Sequence, residues 1–299
     1  MVFAHERPLW SVEGRDWPNR EASRFVVADG LSWHVQDMGR GPGVLLLHGT
    51  GAATHSFRDL APLLGRDFRV VAPDLPGHGF TQMPSGDGLS LPGMARLLAD
   101  LLSALDFHPD IVVGHSAGAA ILFEMALRGM IHPWAIVAIN GALLPIRGAS
   151  LFSPLAKLLF LNPVAPKLFA WRALGRDATR RLLVGTGSTL DERGVDLYER
   201  LFRKSGHIAA TLGMMASWDL DRFERRMPGL SVPLVLVTSA GDKAVPPADA
   251  HVVAAHVKGA RIVALARGGH LVHEEEPAMI AGLIVDMARD AGLFELSSI

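Results

Sequence analysis

Ile111-Val112-Val113-Gly114-His115-Ser116-Ala117-Gly118 is the stretch on which the reading of this chain turns. An apolar, β-branched run enters it, and a helix-forming run, Ala119-Ala120-Ile121-Leu122-Phe123-Glu124-Met125-Ala126, leaves it. Strand, G-x-S-x-G, helix is the context in which a serine becomes a nucleophile, because the turn between the two elements leaves almost no room for flanking side chains. The pattern predicts a strained backbone at Ser116, with its hydroxyl held out over the carboxyl end of a sheet. Glycine and serine are common, so the five residues alone are weakly specific; the strand and helix around them supply the specificity.

A nucleophilic serine needs a base, and the base needs an orienting acid. Pro233-Leu-Val-Leu-Val-Thr238 reads as a buried strand running into Ser239-Ala-Gly-Asp242, a turn that presents Asp242. Ala260-Arg-Ile-Val-Ala-Leu265 reads as the next strand, and Arg267-Gly-Gly-His270 as the loop after it. The order Ser116, Asp242, His270 is one of the three chain orders in which this constellation recurs. Thirteen histidines compete for the role of base. His48 and His115 lie inside glycine turns and are expected to shape a pocket, His78 reads as a loop residue, and His273 should face elsewhere if His270 faces the serine. A glycine pair frees the backbone at His270. Among the acids, Asp74 ends an earlier strand, Asp249 falls in a helix, and the end of Ala135-Ile-Val-Ala-Ile139 carries Asn140, which leaves Asp242.

Val44-Leu-Leu-Leu47 is a strand ending in His48-Gly49-Thr50-Gly51. A turn so rich in glycine can aim a backbone N–H into the site. Thr50 N–H and Ala117 N–H, the latter at the helix start, are therefore the expected oxyanion donors.

The chain has 299 residues, 49% of them hydrophobic, and a formal net charge of −1. That suffices for one large domain with an insertion. Neutral balance and the lack of a basic cluster exclude nucleic acid as an expected partner. The chain has no cysteine, so disulfides and thiolate metal sites are excluded, in keeping with a reducing compartment. Met1-Val-Phe-Ala-His-Glu-Arg-Pro-Leu-Trp10 does not read as a secretory leader, and no run reaches the roughly 18 apolar residues of a spanning helix. A soluble, cytoplasmic protein is the expectation. No motif calls for a cofactor and no cluster has metal-ligand spacing; Glu274-Glu-Glu276 reads as an acidic helix start suited to the dipole.

Arg24–Ala28 and Leu31–Gln36 read as strands joined by Asp29-Gly30, a hairpin signal. Strands then alternate with helices near Ser56–Leu64, Leu91–Leu105 and after Ser116, with a further strand at Arg69–Ala72, which predicts an α/β fold: a mostly parallel sheet covered on both faces. Asp74-Leu-Pro-Gly-His-Gly-Phe-Thr81 is a loop at its carboxyl edge. The rhythm breaks after Asn140 and resumes at Val232; helices are expected at Arg176–Leu183, Asp191–Lys204 and His207–Trp218. The predicted organisation is a core of residues 1–140 and 229–299 with a helical cap, residues 141–228, over Ser116. Large apolar groups crowd the cap, among them Phe152, Leu155, Leu159, Phe160, Phe169 and Trp171. Most are expected to pack internally, but together they predict a roomy apolar pocket. Its assigned residues are His48, Gly49, His115, Phe152, Leu155, Met214, Met215 and Trp218, the methionines adapting to a bulky ligand. A membrane-surface role for 152–171, with Lys157 and Lys167, is the lesser reading, since Pro154, Pro163 and Pro166 interrupt the stretch.

Taken together, His48-Gly49, Asp74-Leu-Pro-Gly-His-Gly79, Gly114-His-Ser-Ala-Gly118, Gly241-Asp242 and His270 resemble the α/β-hydrolase family over nearly the whole chain. A narrower resemblance is to the α/β-hydrolase-like magnesium-chelatase accessory proteins of bacteriochlorophyll biosynthesis. It rests on Asp16-Trp-Pro-Asn-Arg20 with Ser23-Arg-Phe-Val26, Leu47-His-Gly-Thr-Gly-Ala-Ala-Thr-His55, Asn140-Gly-Ala-Leu-Leu-Pro145 and Gly213-Met-Met-Ala-Ser-Trp-Asp-Leu220. This likeness implies a role near magnesium insertion into a porphyrin, or its later modification, with chelatase subunits as partners. Two functions stay open: a serine hydrolase acting on an ester or activated acyl group of a bulky apolar molecule such as a tetrapyrrole, and a porphyrin-binding protein that keeps its triad unused. Serine rather than aspartate at position 116 argues against haloalkane dehalogenation, whereas carbon–carbon hydrolysis and cofactor-free oxidation stay compatible with the triad.

Overall fold

Five short runs, Gly43–Leu47, Arg69–Pro73, Ile111–His115, Ala135–Ile139 and Leu234–Ser239, are apolar at nearly every position, so both faces of each must be covered. The computed structural model, which describes residues 6–145 and 176–293, packs them in one eight-stranded sheet. Its strands are β1 (Ser23–Ala28), β2 (Leu31–Met38), β3 (Gly43–Leu47), β4 (Arg69–Pro73), β5 (Ile111–His115), β6 (Ala135–Ile139), β7 (Leu234–Ser239) and β8 (Arg261–Leu265). The order is β1-β2-β4-β3-β5-β6-β7-β8, parallel from β4 to β8. The β1–β2 hairpin joins antiparallel through Asp29 and Gly30, whose φ angles of 46° and 71° suit the turn that the sequence signalled.

Side chains alternate between two apolar layers. Leu45, Leu47, Val112 and Ile136 face α2 (Leu91–Ala104) and α3 (Ala117–Leu127), while Val44, Leu46, Val113 and Val137 face α1 (Leu60–Leu64) and, near the C-terminus, the helix Pro277–Asp290. Ser90 caps α2 by accepting from Gly93 N at 3.1 Å, next to a proline in the first turn. The helix expected over Ser56–Leu64 is broken into a 3-10 turn, Thr54–Phe57, and α1. Thr54 N and Ser56 Oγ are drawn instead to Asp74 and Glu274.

Between β6 and β7 the described residues contain helices and no strand: α4 (Arg176–Gly185), α5 (Glu192–Phe202), α6 (Ser205–Ser217) and α7 (Leu220–Glu224), then a 3-10 turn, Met227–Gly229. Asp191 caps α5 through Gly194 N at 2.7 Å. An N-terminal arm laces this insertion to the rest. Asp16 pairs with Arg193 at 2.6 Å and Arg200 at 2.5 Å, and Lys204 pairs with Glu6 and Glu13. Phe152, Leu155 and the 152–171 stretch lie outside the described residues. The remaining helices are α8 (Asp249–His256), α9 (Val272–Glu275) and α10 (Pro277–Asp290); no described helix is long and apolar enough to cross a membrane.

The order β4-β3-β5 places the point at which the strand order reverses beside β3 and β5. Crevices for ligands open there, at the carboxyl ends of the strands. Leu47 is in register with Gly114, and His115 with Ile139, so the turns after β3, β5 and β6 emerge side by side.

Candidate active site

Ser116 sits between β5 and α3 with φ 52° and ψ −118°, a left-handed conformation that a side chain rarely adopts. The flanking glycines make the turn: a Cβ on Gly114 would lie 2.4 Å from Ala119 N, and one on Gly118 2.2 Å from Leu47 O. Ser116 N donates to Ile139 O at 3.0 Å, and its carbonyl accepts from Ala142 N at 3.0 Å, so the strain is held from both sides.

Asp242 and His270 meet as the chain order required. His270 Nδ1 donates to Asp242 Oδ2 at 2.8 Å, while Asp242 Oδ1 accepts from Ala244 N and Val245 N at 2.8 and 2.9 Å. With Nδ1–H committed to the carboxylate, Nε2 carries the lone pair a base needs. The His270 carbonyl accepts from His115 Nε2 and from Asn140 Nδ2, each at 2.9 Å, and the His115 and His270 rings lie 4.7 Å apart. The residue before the serine thus holds the loop of the base. Among the described residues no hydrogen bond joins Ser116 Oγ to His270 Nε2; contacts of this kind commonly tighten only with substrate in place.

Neither Thr50 N–H nor Ala117 N–H has an acceptor among the described residues. The aim of the first is set by its own peptide. Gly49 O accepts from His48 Nδ1 at 2.8 Å and from Ala52 N at 3.2 Å, so the trans peptide turns Thr50 N–H the opposite way. His48 Nε2 accepts from Leu75 N at 2.9 Å, and burial holds the ring neutral, with its pKa pushed down to about 4. His48 therefore braces the turn from behind. Gly49 leaves no space for a side chain: a Cβ there would lie 2.9 Å from both His115 Nδ1 and Ser116 Cβ.

The insertion residues separate. Met214 is buried with its Sδ 3.8 Å from Thr50 Oγ1. Met215, on a different face of α6, is 53% exposed, and Trp218 donates from Nε1 to Leu89 O at 3.1 Å. Met214 thus reaches the turn after β3, and Trp218 the loop before α2.

Several polar residues escaped the sequence reading. His78 lies in the loop after β4, as read, but is fully buried, its ring 5.6 Å from His48 and 5.3 Å from His207 of α6. His207 Nε2 donates to Gly51 O at 2.9 Å, and its Nδ1 accepts from Gly79 N at 3.1 Å. Glu274 stands in the first turn of a helix, Val272–Glu275, as read. It is buried, accepts from Ser56 Oγ and Tyr198 Oη at 2.7 Å each, and pairs with Arg58; burial raises its pKa against the pull of that guanidinium. Ser56 also meets His273 Nε2 at 2.8 Å, and the His273 ring lies 4.3 Å from His115. Glu275 Oε2 accepts from Gly269 N at 2.7 Å, bracing the His270 loop. Among the described residues no three His, Asp or Glu groups converge as a metal site.

Residues 44–283 match the α/β-hydrolase family. The chain is 36% identical to the magnesium-chelatase 30 kDa subunit of Rhodobacter capsulatus over 277 residues, covering 91% of this chain and 96% of that protein. It is 38% identical to the 2-hydroxy-6-oxo-2,4-heptadienoate hydrolase of Pseudomonas putida over 113 residues, 37% of this chain and 41% of that protein. A serine hydrolase of carbazole degradation superposes with a TM-score of 0.74 at 21% identity, over 89% of this chain and 98% of that one, a likeness of fold. The chain belongs to the α/β-hydrolase family.

Proposed function

We propose that this chain is a serine hydrolase that cleaves an ester or similarly activated acyl group of a bulky apolar substrate. The observation that carries the reading is the Asp242–His270 pair, held by His115 at the sheet edge where Ser116 keeps its left-handed backbone. His270 Nε2 takes the Ser116 proton as Oγ bonds to the carbonyl carbon, and Asp242 steadies the imidazolium that forms. Thr50 N–H and Ala117 N–H receive the oxyanion. Collapse expels the alcohol, which His270 protonates; water, deprotonated by the same nitrogen, then releases the acid. The helical insertion acts as a cap, with Met214 in the pocket wall beside Thr50.

The likeness to a magnesium-chelatase subunit supports, as the substrate class of this reading, a tetrapyrrole of bacteriochlorophyll biosynthesis, and as its partners chelatase subunits. The same likeness favours a second reading, a porphyrin-binding chelatase partner whose triad is idle. Mass spectrometry of porphyrin carboxylate esters incubated with the wild type and with Ser116→Ala separates the two. Free acid formed by the wild type alone is the expected result. Quenching of porphyrin fluorescence by both proteins, with no acid from either, would leave the binding role in its place.

A further inference from the structure

One face of α6 rests on the two loops that frame the oxyanion turn. His207, Ala210, Thr211 and Met214 recur at i, i+3, i+4 and i+7, the spacing of a single helical stripe. Met214 Sδ meets Thr50 Oγ1. A Cβ on Gly51, whose φ is +77°, would lie 3.5 Å from Phe202 and 3.7 Å from Thr211, and one on Gly77 would lie 2.6 Å from Ala210 Cβ. The helix therefore sits on bare backbone. Among the described residues, His207 is the α6 side chain that hydrogen-bonds to both loops: it donates to Gly51 O and accepts from Gly79 N. Both bonds are made by a single neutral tautomer, Nε2–H with a free Nδ1 lone pair, and the ring is fully buried.

We infer that His207 is a positioning residue for the oxyanion turn, so that seating of the cap helix and assembly of the oxyanion hole are one event; the inference rests on the serine-hydrolase reading above. The turn 49–52 is fastened at one end by His48 and by Ala52 N on Gly49 O. Its other end, the Gly51 carbonyl, has His207 as its side-chain donor. With that donor withdrawn, the Gly51–Ala52 peptide keeps, among the described residues, only the 3.2 Å bond from Ala52 N to Gly49 O, and with Gly51 at a φ of +77° that bond alone restrains its rotation. The rotation is carried two peptides back to Thr50 N–H. The cost falls on the charged tetrahedral state, because only that state depends on the aim of this N–H. The N-terminal arm lends support: Glu6 N donates to Ser205 Oγ and Gly206 N to Glu6 O, so the start of α6 is stitched down one residue before His207.

The test compares His207→Asn and His207→Gln. Asparagine keeps an acceptor at the Nδ1 position but stops short of Gly51; glutamine carries a donor out to where Nε2 stood. Hydrolysis of p-nitrophenyl butyrate and inhibition by an aryl trifluoromethyl ketone, which forms a tetrahedral adduct on serine, are measured beside inhibition by butyrate. For the asparagine variant, kcat/KM and ketone affinity are expected to fall together by about 10–100-fold, with butyrate inhibition unchanged and with most of the loss restored by glutamine. Wild-type ketone affinity in the asparagine variant, or equal losses for ketone and butyrate in both variants, would overturn the inference. If the asparagine variant does not fold, the glutamine variant decides: ketone affinity within about threefold of wild type supports the inference, and a selective loss of it overturns it. A wild type inert to both ester and ketone would instead overturn the hydrolase reading itself.

Discussion

A methyl group on Gly49 would press on the His115 ring and on Ser116 Cβ at 2.9 Å, against two residues that are themselves fixed. Gly49→Ala should therefore slow the reaction of Ser116 with a fluorophosphonate by about 10–100-fold, while costing about 1–3 kcal/mol in urea unfolding from overpacking. Wild-type labelling by that variant would show that the turn after β3 and the serine are not in contact. Asp242→Asn tests a different link. The Asn oxygen would take over the Ala244 and Val245 N–H groups, turning its NH2 towards His270 Nδ1 and forcing the ring proton onto Nε2. That is the wrong tautomer for a base, and ester turnover should drop by about 10⁴ with little change in KM. These short-range features were legible in the sequence because each is local: glycines at 114 and 118, a glycine pair before His270, an acid in the turn after a strand. His207 was not, since its partners Gly51 and Gly79 lie 156 and 128 residues away. The readable trace was the small or polar set His207, Ala210 and Thr211, sharing one helical face with Met214.

α5, α9 and the 3-10 turn after β3 meet through one buried charge pair. Glu274 and Arg58 are joined where their side chains are 0% and 8% exposed, and Ser56 and Tyr198 fill the remaining carboxylate positions. Removing the charge from one side strands the other. Glu274→Gln should cost about 3 kcal/mol in urea unfolding, and Tyr198→Phe about 1–2 kcal/mol. Equal stability of the Gln variant would mean that the pair is screened in solution. Three consecutive glutamates at a helix start gave no sign of this. Their pattern fits dipole complementarity as well as burial, and the partners that decide lie on other elements. The hairpin at Asp29-Gly30 and the helices α2 and α5 were legible for the opposite reason, that their caps and turns sit within the segment. Phe152 and Leu155, read as pocket residues, fall outside the described residues.

Six buried histidines make the whole molecule acid-sensitive. His48 has its pKa lowered to about 4, and His78, His207 and His273 to about 3; His55 and His115 are also held well below the ordinary value, in every case chiefly because burial opposes the charged ring. In the unfolded chain each takes up a proton near pH 6.5, whereas the folded protein does not until far lower pH. Stability is therefore present above about pH 6.5 and is lost as pH falls below it. Asp74, held low by His34 despite its burial, adds a loss below about pH 4, and Glu274, raised by burial, offsets part of it there. The urea midpoint should fall steeply between about pH 6.5 and 5, with a slope corresponding to roughly four to six protons. A flat profile would show that these rings are hydrated in solution. The central claim remains that three distant loops converge to make one hydroxyl reactive. Its most direct measurement is fluorophosphonate labelling read by mass spectrometry of the intact protein and its peptides. The account predicts a single adduct on Ser116, absent from Ser116→Ala and slowed by at least about 10³-fold in His270→Ala. No adduct on folded wild-type protein, or labelling of Ser116 at equal rates with and without the imidazole of His270, would contradict it.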